Sequence, residues 1–568
     1  MAESGSSVSK YDMKWQVALA VGLPVAVGVG YWYFSRKGKK ENMGALKGNS
    51  KNNVCGISID GEKSAKNARE ASVKKTPLEL ATELKEEGNK KFKNSKYEEA
   101  ISSYNKAIEL CPETETISLA TFYQNKAAAY EQLQKYEDVK EACTKALSYN
   151  SKYTKALLRR AKACEHTKDL PQALEDVIAA CILENFQSQS TLQSADHILK
   201  ELGRQHAKEA MAKRVPIIPS NCFIKTYFMS FANDPLNTFL NKSDGDSSKG
   251  FLKAVDCFKK ENYECIVAAC TEEINFTEAE ALYKNEALVL RGTFYHLMGE
   301  NSAAMTDLDN VINNGEASPR LRANALIKRA SIHMQLEDLQ SCLNDFSGAV
   351  VVDEHNSDIY HHRSQINLIL ENIQQAVDDI KLSVSLNPKN PLTLVQQYFT
   401  EYRMAVVSKD NSAVFTMMKK LEQVLNDYPD CTECYALYAQ VLMDQHEYQK
   451  ADNIFQKAIR VDPKNAVLLV RRALLVLQSS ADVEKGLKYI HQALELDNKC
   501  EFAYETLGTI EVQRGNLSKA IEMFDKAIAL TKTELEMSHL FSLKDAAMAQ
   551  KAVAEKMNMR LPRDVFNA

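Results

Sequence analysis

The sequence predicts an all-α superhelical solenoid that follows a single N-terminal membrane-spanning helix. Three segments share one pattern: KYEEAISSYNKAIELCP, EYQKADNIFQKAIRVDP and NLSKAIEMFDKAIAL. In the first, Ala100, Tyr104 and Ala107 have helical spacing, which places an aromatic ring between two small residues where a second helix can approach. The equivalent residues of the other two segments are Ala451, Phe455, Ala458, Ala520, Phe524 and Ala527. Recurrence at about 34 residues predicts a helix-turn-helix unit that buries its apolar face by stacking on its neighbours.

The recurring unit resembles the tetratricopeptide repeat (TPR). A proline stops a helix at the same point of the cycle in three units, at Pro112, Pro388 and Pro463. We expect about eleven units, about three within 81–186 and about eight within 249–530. The unit at 412–429 is irregular and is assigned from its position alone. The resemblance implies a TPR superhelical solenoid as the fold.

Length and composition limit the class of protein. The chain has 568 residues, which is enough for more than one folding unit. Its formal net charge of −4 is close to balance, so no general attraction to nucleic acid is expected. Thirteen cysteines are scattered without framework spacing, which is typical of small buried thiols in a reducing compartment.

An uncharged stretch at 15–34, WQVALAVGLPVAVGVGYWYF, is long enough to span a bilayer. Trp15 at one end and the aromatic run at 31–33 are typical of interfacial anchors. A cleaved signal peptide is the alternative, but aromatic residues stand where a cleavage site needs small ones. The basic run at 36–40 follows the span, so the positive-inside rule places the N-terminus across the membrane and the bulk of the chain in the cytosol. Such a span resembles signal anchors of the mitochondrial outer membrane, although the endoplasmic reticulum stays open as a destination.

Composition divides the rest of the chain into segments. Residues 1–14 form a short segment before the span, and 35–76, rich in Lys, Gly, Asn and Ser, predicts a flexible basic tether. The first repeat block is expected at 77–212 and the second at 249–568. Between them, 213–248 holds prolines, an apolar patch and most of the polar run NKSDGDSSKG, which predicts a connector whose polar end is disordered.

Five polar residues of the first block have the spacing of a carboxylate clamp. Lys85 and Asn89 are four residues apart, as are Lys155 and Arg159, so each pair shares one face of a helix. With Asn125 they occupy repeat positions that line a concave face. Each residue alone is compatible with a solvated surface. Together, three cations and two amides with no acid among them suit a ligand with several carboxylates, such as an acidic chain terminus.

Other candidate chemistry is weak. Cys431 and Cys434 form a CxxC motif, but a zinc site needs a second pair, and the motif falls where small residues pack. His361 and His362 are adjacent, so their rings are expected to point to different faces of a helix and not to share a metal. Motifs of phosphate-binding loops, serine hydrolases and kinases do not occur in the sequence. We therefore predict no metal, no cofactor and no enzymatic activity.

The clamp residues resemble those of TPR co-chaperones that hold the acidic C-terminal tails of the cytosolic seventy- and ninety-kilodalton heat-shock chaperones. Nearly the whole chain resembles the large TPR import receptors of the mitochondrial outer-membrane translocase, in the stretches RLRANALIKRASIHM, DIYHHRSQINLIL, ECYALYAQVLMDQ and FAYETLGTIEVQRGNLSKAIEMF. The resemblance implies a receptor that docks chaperone-bound hydrophobic preproteins, mostly carriers with internal targeting signals. It would then hand them to other translocase subunits.

The resemblance also places preprotein binding in the second block. Carrying the clamp's repeat positions forward gives the residues expected to line that groove: Ile327, Lys328, Ser331, His361, Gln365, Glu433, Leu437, Gln440, Glu505 and Thr509. Their mixture of apolar and polar groups suits hydrophobic or amphipathic segments. Packing between repeats is the alternative interpretation of each position.

Two other classes of protein stay open on the sequence alone. A membrane-anchored TPR co-chaperone at another organelle, such as the endoplasmic reticulum, would carry the same blocks behind a different anchor. An enzyme with TPR adaptors would need a further domain. Once anchor, tether, repeats and connector are assigned, the sequence holds no segment for one.

Overall fold

The structure is a computed structural model that describes residues 75–240, 249–277 and 281–558. The expected membrane span at 15–34, the tether up to residue 74 and the polar run at 241–248 lie outside the described residues. None of the helices that are described is both long enough and apolar enough to cross a bilayer.

The described residues fold into helices connected by short turns, with no strand among them. The first seven helices are α1 (Pro77–Lys93), α2 (Tyr97–Leu110), α3 (Thr116–Gln132), α4 (Tyr136–Tyr149), α5 (Thr154–His166), α6 (Leu170–Leu183) and α7 (Gln189–Met211). Two short helices follow, α8 (Asn221–Met229) and α9 (Asn237–Leu240). Three helix pairs, α1 to α6, therefore precede α7, as the sequence predicts for the first block.

Eight further helix pairs follow. They are α10 (Gly250–Lys259) and α11 (Ile266–Ile274), α12 (Lys284–Leu297) and α13 (Asn301–Ile312), α14 (Pro319–Gln335) and α15 (Leu339–Val352), α16 (Ser357–Ile369) and α17 (Ile373–Leu386), α18 (Pro391–Val407) and α19 (Asn411–Asp427), α20 (Thr432–Asp444) and α21 (Tyr448–Val461), α22 (Ala466–Ser480) and α23 (Val483–Leu496), and α24 (Glu501–Gln513) and α25 (Leu517–Leu530). A last helix, α26 (Glu534–Lys556), ends the described chain. The prediction of an all-α solenoid of about eleven repeats is confirmed.

The described chain divides into two compact units. One contains 75–202 together with 545–558, and the other contains 203–544. The unit boundaries fall inside α7 and α26. The segment expected as a connector, from 213 onward, therefore lies in the same unit as the eight C-terminal helix pairs.

In two repeats, a glycine on the first helix packs against an aromatic ring sixteen residues later on the second. A Cβ atom on Gly88 would lie 2.6 Å from the ring of Tyr104, and one on Gly508 would lie 2.7 Å from the ring of Phe524. The missing side chain on the first helix thus leaves room for the aromatic ring of the second. Ala100 and Ala107 are fully buried on either side of Tyr104, as the spacing predicts.

The same spacing carries a set of arginine–aspartate pairs that the sequence analysis missed. Arginine on the first helix of a repeat binds aspartate on the second in Arg160–Asp176, Arg291–Asp307, Arg329–Asp345 and Arg363–Asp379. In each pair two guanidinium nitrogens bond the two carboxylate oxygens. The aspartates are buried or nearly so, and this bidentate geometry offsets the loss of hydration.

The cysteines are mostly buried thiols, as their scatter predicts. All of the described free cysteines are buried except Cys222, which is half-buried. Cys257 and Cys265, at the ends of a short loop between α10 and α11, form a disulfide. The expectation of thiols alone is therefore wrong for this pair.

Candidate peptide-binding sites

An amide pair lies at the centre of the predicted clamp in the first unit. The Oδ1 atom of Asn89 on α1 accepts hydrogen bonds from the hydroxyl of Tyr104 at 2.8 Å and from Nδ2 of Asn125 on α3 at 3.3 Å. Because two donors already occupy this oxygen, the Nδ2 group of Asn89 remains to donate to a ligand. Sequence reasoning assigned Tyr104 to packing and missed its hydroxyl, which fixes the orientation of the clamp amide.

The lysines of the clamp are available for a ligand. Lys85 lies one turn before Asn89 on α1, and its Nζ is 3.8 Å from Glu86 Oε1 in a long, partly exposed pair. An exposed pair of this kind contributes little to stability, so it costs little to exchange. Lys155 is exposed on α5, one turn before Arg159.

Arg159 is already paired within the unit. Its Nε donates to Oε2 of Glu131 at 2.8 Å, and Lys162 donates to the other oxygen at 2.7 Å. Burial raises the pKa of Glu131, but the hydrogen bonds from Arg159 and Lys162 outweigh it and hold this pKa below its usual value. Nη1 of Arg159 is buried and has no partner among the described residues. A ligand carboxylate would therefore share Arg159 with an acid that the sequence analysis did not consider.

The ten predicted groove positions lie on α14, α16, α20 and α24 of the second unit. Five of them are buried, at Ile327, Lys328, Ser331, His361 and Glu505. The other five are half-buried, at Gln365, Glu433, Leu437, Gln440 and Thr509. Residues 214–237 of the same chain, here called the connector segment, pack against α14, α16 and the turns near α24 and α25, and among the ten positions they contact Lys328.

The deepest contact of the connector segment is at Lys328. Its ammonium group lies 2.9 Å from Asp234 Oδ2, 5.4 Å from the ring centre of Phe228 and 5.1 Å from that of Phe231. Lys328 is 1% exposed and Asp234 is 3% exposed. A lysine so deeply buried needs both a counter-charge and polarisable rings, and the connector segment supplies them.

Backbone hydrogen bonds hold the next residues of the connector segment. The carboxylate of Asp358 on α16 accepts from the N–H of Asn233 at 2.7 Å and from that of Ala232 at 3.2 Å. The ring of Phe231 packs on that of His362, with centres 4.2 Å apart. Arg320, in the first turn of α14, donates to the carbonyl oxygen of Asn233 at 2.8 Å.

The start of the connector segment is held by the other end of the unit. Arg214 donates to the carbonyl oxygens of Thr531 at 2.8 Å and Met298 at 2.6 Å. Lys499 donates to the carbonyl oxygen of Ile218 at 3.2 Å. The segment therefore extends from the turn after α25 to α16, along the helices that carry the predicted groove.

Burial changes the titration of four polar groups on α12 and α16, of which His361 is a predicted groove position. It lowers the pKa of His296 to about 4 and that of His361 to about 4. It also lowers the pKa of His362 well below its usual value, and it raises that of Asp358 to about 6. The three imidazoles are therefore neutral at physiological pH.

The motifs set aside in the sequence analysis have structural explanations. The sulfur atoms of Cys431 and Cys434 lie 2.8 Å apart in the first turn of α20, and both residues are buried. His361 bonds Gln365, while His362 faces Phe231, and the two imidazole planes stand at 89°. Within the described residues, no group of three or more His, Cys, Asp or Glu residues could hold a metal ion.

The helix-pair fold, with the predicted clamp and the predicted groove, defines a TPR scaffold. Proteins of this class bind other polypeptides. The family model for the tetratricopeptide repeat matches residues 91–114, 120–153, 357–390 and 432–465. "Mitochondrial import receptor subunit TOM70" of Mus musculus is 44% identical over 577 residues, with 97% of this chain and 93% of its own length covered. The Homo sapiens protein of the same name is 44% identical over 576 residues, with 97% and 94% covered.

The chain belongs to the family of the mitochondrial import receptor subunit TOM70, because identity of this size extends over nearly its whole length. It is therefore a receptor of mitochondrial protein import and not an enzyme. A crystal structure of yeast Tom70 is also similar, with 24% identity, a TM-score of 0.49, and coverage of 84% of this chain and 99% of the other.

Proposed function

We propose that this receptor docks cytosolic seventy- and ninety-kilodalton heat-shock chaperones through Lys85, Asn89, Asn125, Lys155 and Arg159. The chaperones' acidic C-terminal tails would bind there, and hydrophobic preproteins, especially carriers with internal targeting signals, would bind in the second unit before transfer to other translocase subunits. The observation that carries the chaperone part is the oriented amide pair of Asn89 and Asn125.

The chemistry of the clamp favours a terminal carboxylate. The Nδ2 group of Asn89 is free to donate. Lys85 lies one turn before Asn89 on α1, and Lys155 lies one turn before Arg159 on α5, so each adds a positive charge beside the clamp. Arg159 offers a planar fork, of which Nε is engaged by Glu131 while Nη1 has no described partner. A ligand with two carboxylates close together satisfies such a set better than a single internal acid does.

The second unit suits apolar helical segments. Among the predicted lining residues, the half-buried Leu437, Gln440 and Thr509 combine an apolar side chain with polar ones, so hydrophobic side chains and peptide groups would both find partners there. A mixed lining of this kind accepts many sequences, which an import receptor requires.

We place the receptor in the mitochondrial outer membrane through one helix at 15–34. The N-terminus lies in the intermembrane space, the tether at 35–76 leads to the repeats, and the bulk of the chain is in the cytosol. Charge asymmetry around the span supports this orientation. Membership of a mitochondrial import family favours this destination over a co-chaperone role at the endoplasmic reticulum.

Calorimetric titration of the full-length chain in lipid nanodiscs tests the clamp. One probe is a synthetic acidic tail peptide with a free C-terminal carboxylate, and its control is the same peptide with an amidated C-terminus. We expect the free acid to bind and the amide to bind at least tenfold more weakly, since one charge-assisted contact contributes about 1.5–3 kcal/mol. Equal affinities would show that the site does not recognise a chain terminus.

A further inference from the structure

The connector segment resembles a bound ligand more than a linker. Helix α8 is amphipathic: Phe223, Tyr227 and Phe228 are buried, whereas Lys225 and Met229 on the opposite face are exposed. An amphipathic helix that lays its apolar face into a groove is a common form of peptide recognition. Here the helix and the groove belong to one chain.

The order of contacts describes the kind of segment that this groove accepts. Three aromatic rings of a short helix, at Phe223, Tyr227 and Phe228, come first. Tight turns then follow, in which Phe231 packs on His362 and Asp234 binds Lys328. Because Lys328 is buried, any replacement for this segment must also bring a carboxylate, or leave a bare ammonium group at high cost.

The resident segment satisfies the groove only in part. Buried groove atoms without a hydrogen-bond partner among the described residues include His361 Nδ1, His362 Nε2 and Gln365 Oε1, and Tyr227 Oη of the connector segment is also without one. A buried polar atom without a hydrogen bond is less stable than a bonded one. A pocket of about 490 Å³ also remains beside α8, lined partly by Phe228, Phe231 and Phe258. The groove therefore keeps unmet polar groups for another segment, and the pocket, lined mainly by the connector segment and by the turn before α18, gives the connector segment room to move.

We propose that residues 214–237 are a tethered occupant of the preprotein groove and that a preprotein segment binds by replacing them. This inference rests on the proposed function of the second unit. The groove selects a short aromatic helix followed, after a turn of about five residues, by a carboxylate. A tethered occupant competes at a high effective concentration. Preprotein segments that bind the groove weakly therefore cannot replace it.

Two neighbouring arginines provide a matched test. Arg320 and Arg322 both lie in the first turn of α14, and each donates Nε to a main-chain carbonyl oxygen. Arg320 binds the connector segment at Asn233 over 2.8 Å, whereas Arg322 binds Ile312 of α13 over 3.1 Å. Arg320→Ala therefore loosens the connector segment, and Arg322→Ala removes a comparable bond elsewhere.

The measurement is the affinity of the full-length chain in nanodiscs for a labelled peptide from a mitochondrial carrier, chosen so that an aromatic helical stretch is followed by an acidic residue. We expect Arg320→Ala to bind about fivefold more tightly than the unaltered chain, since the competitor loses the Nε bond to Asn233 and a longer Nη2 bond, at 3.4 Å, to the carbonyl oxygen of Asp234. Arg322→Ala is expected to leave the affinity unchanged. Hydrogen exchange provides a second readout, because the N–H groups of Ala232 and Asn233, which Asp358 holds, are expected to lose protection when the peptide binds.

The outcomes separate the two hypotheses. If the peptide binds the unaltered chain, Arg320→Ala changes nothing and Ala232 and Asn233 stay protected, the connector segment is a fixed part of the core and the inference is wrong. If the peptide binds neither the unaltered chain nor the variants, the proposed preprotein site itself is wrong. Tighter binding by both arginine variants would also contradict the inference, because general loosening would then explain the gain.

Discussion

At the scale of single residues, Tyr104 links the fold to the clamp. Its ring fills the space beside Gly88, and its hydroxyl donates to Asn89 at 2.8 Å. Tyr104→Phe keeps the ring and removes the donor, so the Asn89 amide loses one of the two bonds that orient it. We expect tail-peptide affinity to fall about fivefold with little change in melting temperature, measured by calorimetry and circular dichroism. An unchanged affinity would exclude this role for the hydroxyl.

Arg159 makes the largest expected contribution to tail binding. Arg159→Ala removes a forked donor to a carboxylate, and truncation of one partner in such a pair costs about 2–5 kcal/mol. The readout is tail-peptide affinity of the full-length chain, with helicity as the control for folding. An affinity equal to that of the unaltered chain would remove Arg159 from the clamp.

Glu131 is expected to compete with the ligand for Arg159. Glu131→Gln keeps the shape of the side chain but removes the charge that engages Arg159 and Lys162. We expect tail peptides to bind more tightly, by about three- to tenfold, because the guanidinium becomes available. Weaker binding would instead show that Glu131 holds Arg159 in its binding position.

The buried histidines of the second unit predict acid sensitivity. His296 and His361 have pKa values near 4 in the folded chain, against about 6.5 when unfolded. Because the unfolded chain binds more protons between these values, their contribution is complete above pH 6.5 and is lost as the pH falls toward 4. Asp358, with its pKa raised to about 6, acts in the opposite direction: its contribution is complete below about pH 3.9 and is lost as the pH rises through 6.

Around α14 and α16 the three neutral imidazoles outnumber Asp358, so we expect these helices to lose stability as the pH falls from 7 to 5. Glu501, whose pKa burial raises to about 8, acts in the same direction as Asp358 but lies on α24. Hydrogen exchange of peptides from α14 and α16 measures it locally, and His361→Gln is expected to reduce the pH dependence. The measured rates are first corrected for the pH dependence of intrinsic amide exchange. Corrected rates that are the same at both pH values would contradict the prediction.

At the scale of the element, the sixteen-residue spacing explains both packing and charge pairing within a repeat. Asp379→Ala leaves Arg363 without its partner in a partly buried position. We expect this change to destabilise the second unit by about 3 kcal/mol in urea unfolding. The double replacement Arg363→Met with Asp379→Leu is expected to recover most of that loss, because no charge is left unpaired. A double variant as unstable as the single one would contradict this account.

The sequence predicts helix pairs well because the repeat pattern is local and recurs along the chain. It does not predict what packs against the concave side of those pairs, since that depends on residues distant in sequence. The segment from Phe223 to Phe231 was interpreted as part of a connector, yet its aromatic rings are buried against helices more than sixty residues away. Glu131 was missed for the same reason, because it reaches Arg159 from another repeat.

At the scale of the whole molecule, each proposed site lies within one compact unit. A fragment that starts at 249 would lack the connector segment. A fragment that ends at 568 would include residues 545–558, and these belong to the other unit. The fragment 203–544 is therefore the one to examine. We expect it to fold, as judged by circular dichroism, and to bind carrier segments but not chaperone tails. A folded fragment without carrier binding would contradict the assignment.

Salt is expected to distinguish the two binding events. Tail binding relies on exposed lysines and on Arg159, so its affinity falls as ionic strength rises. Carrier binding depends mainly on burial of apolar surface, so it changes less. Affinities measured in low and physiological salt provide the comparison, and equal salt dependence would count against a charge-driven clamp.

The most direct measurement of the central claim compares both ligands on one variant. Full-length Arg159→Ala in nanodiscs is titrated separately with an acidic tail peptide and with a carrier segment. We predict that tail affinity falls by at least about thirtyfold, as a loss of 2 kcal/mol requires, while carrier affinity stays unchanged. Tail binding that survives, or an equal loss of both ligands, would contradict the account of a receptor with two separate peptide sites.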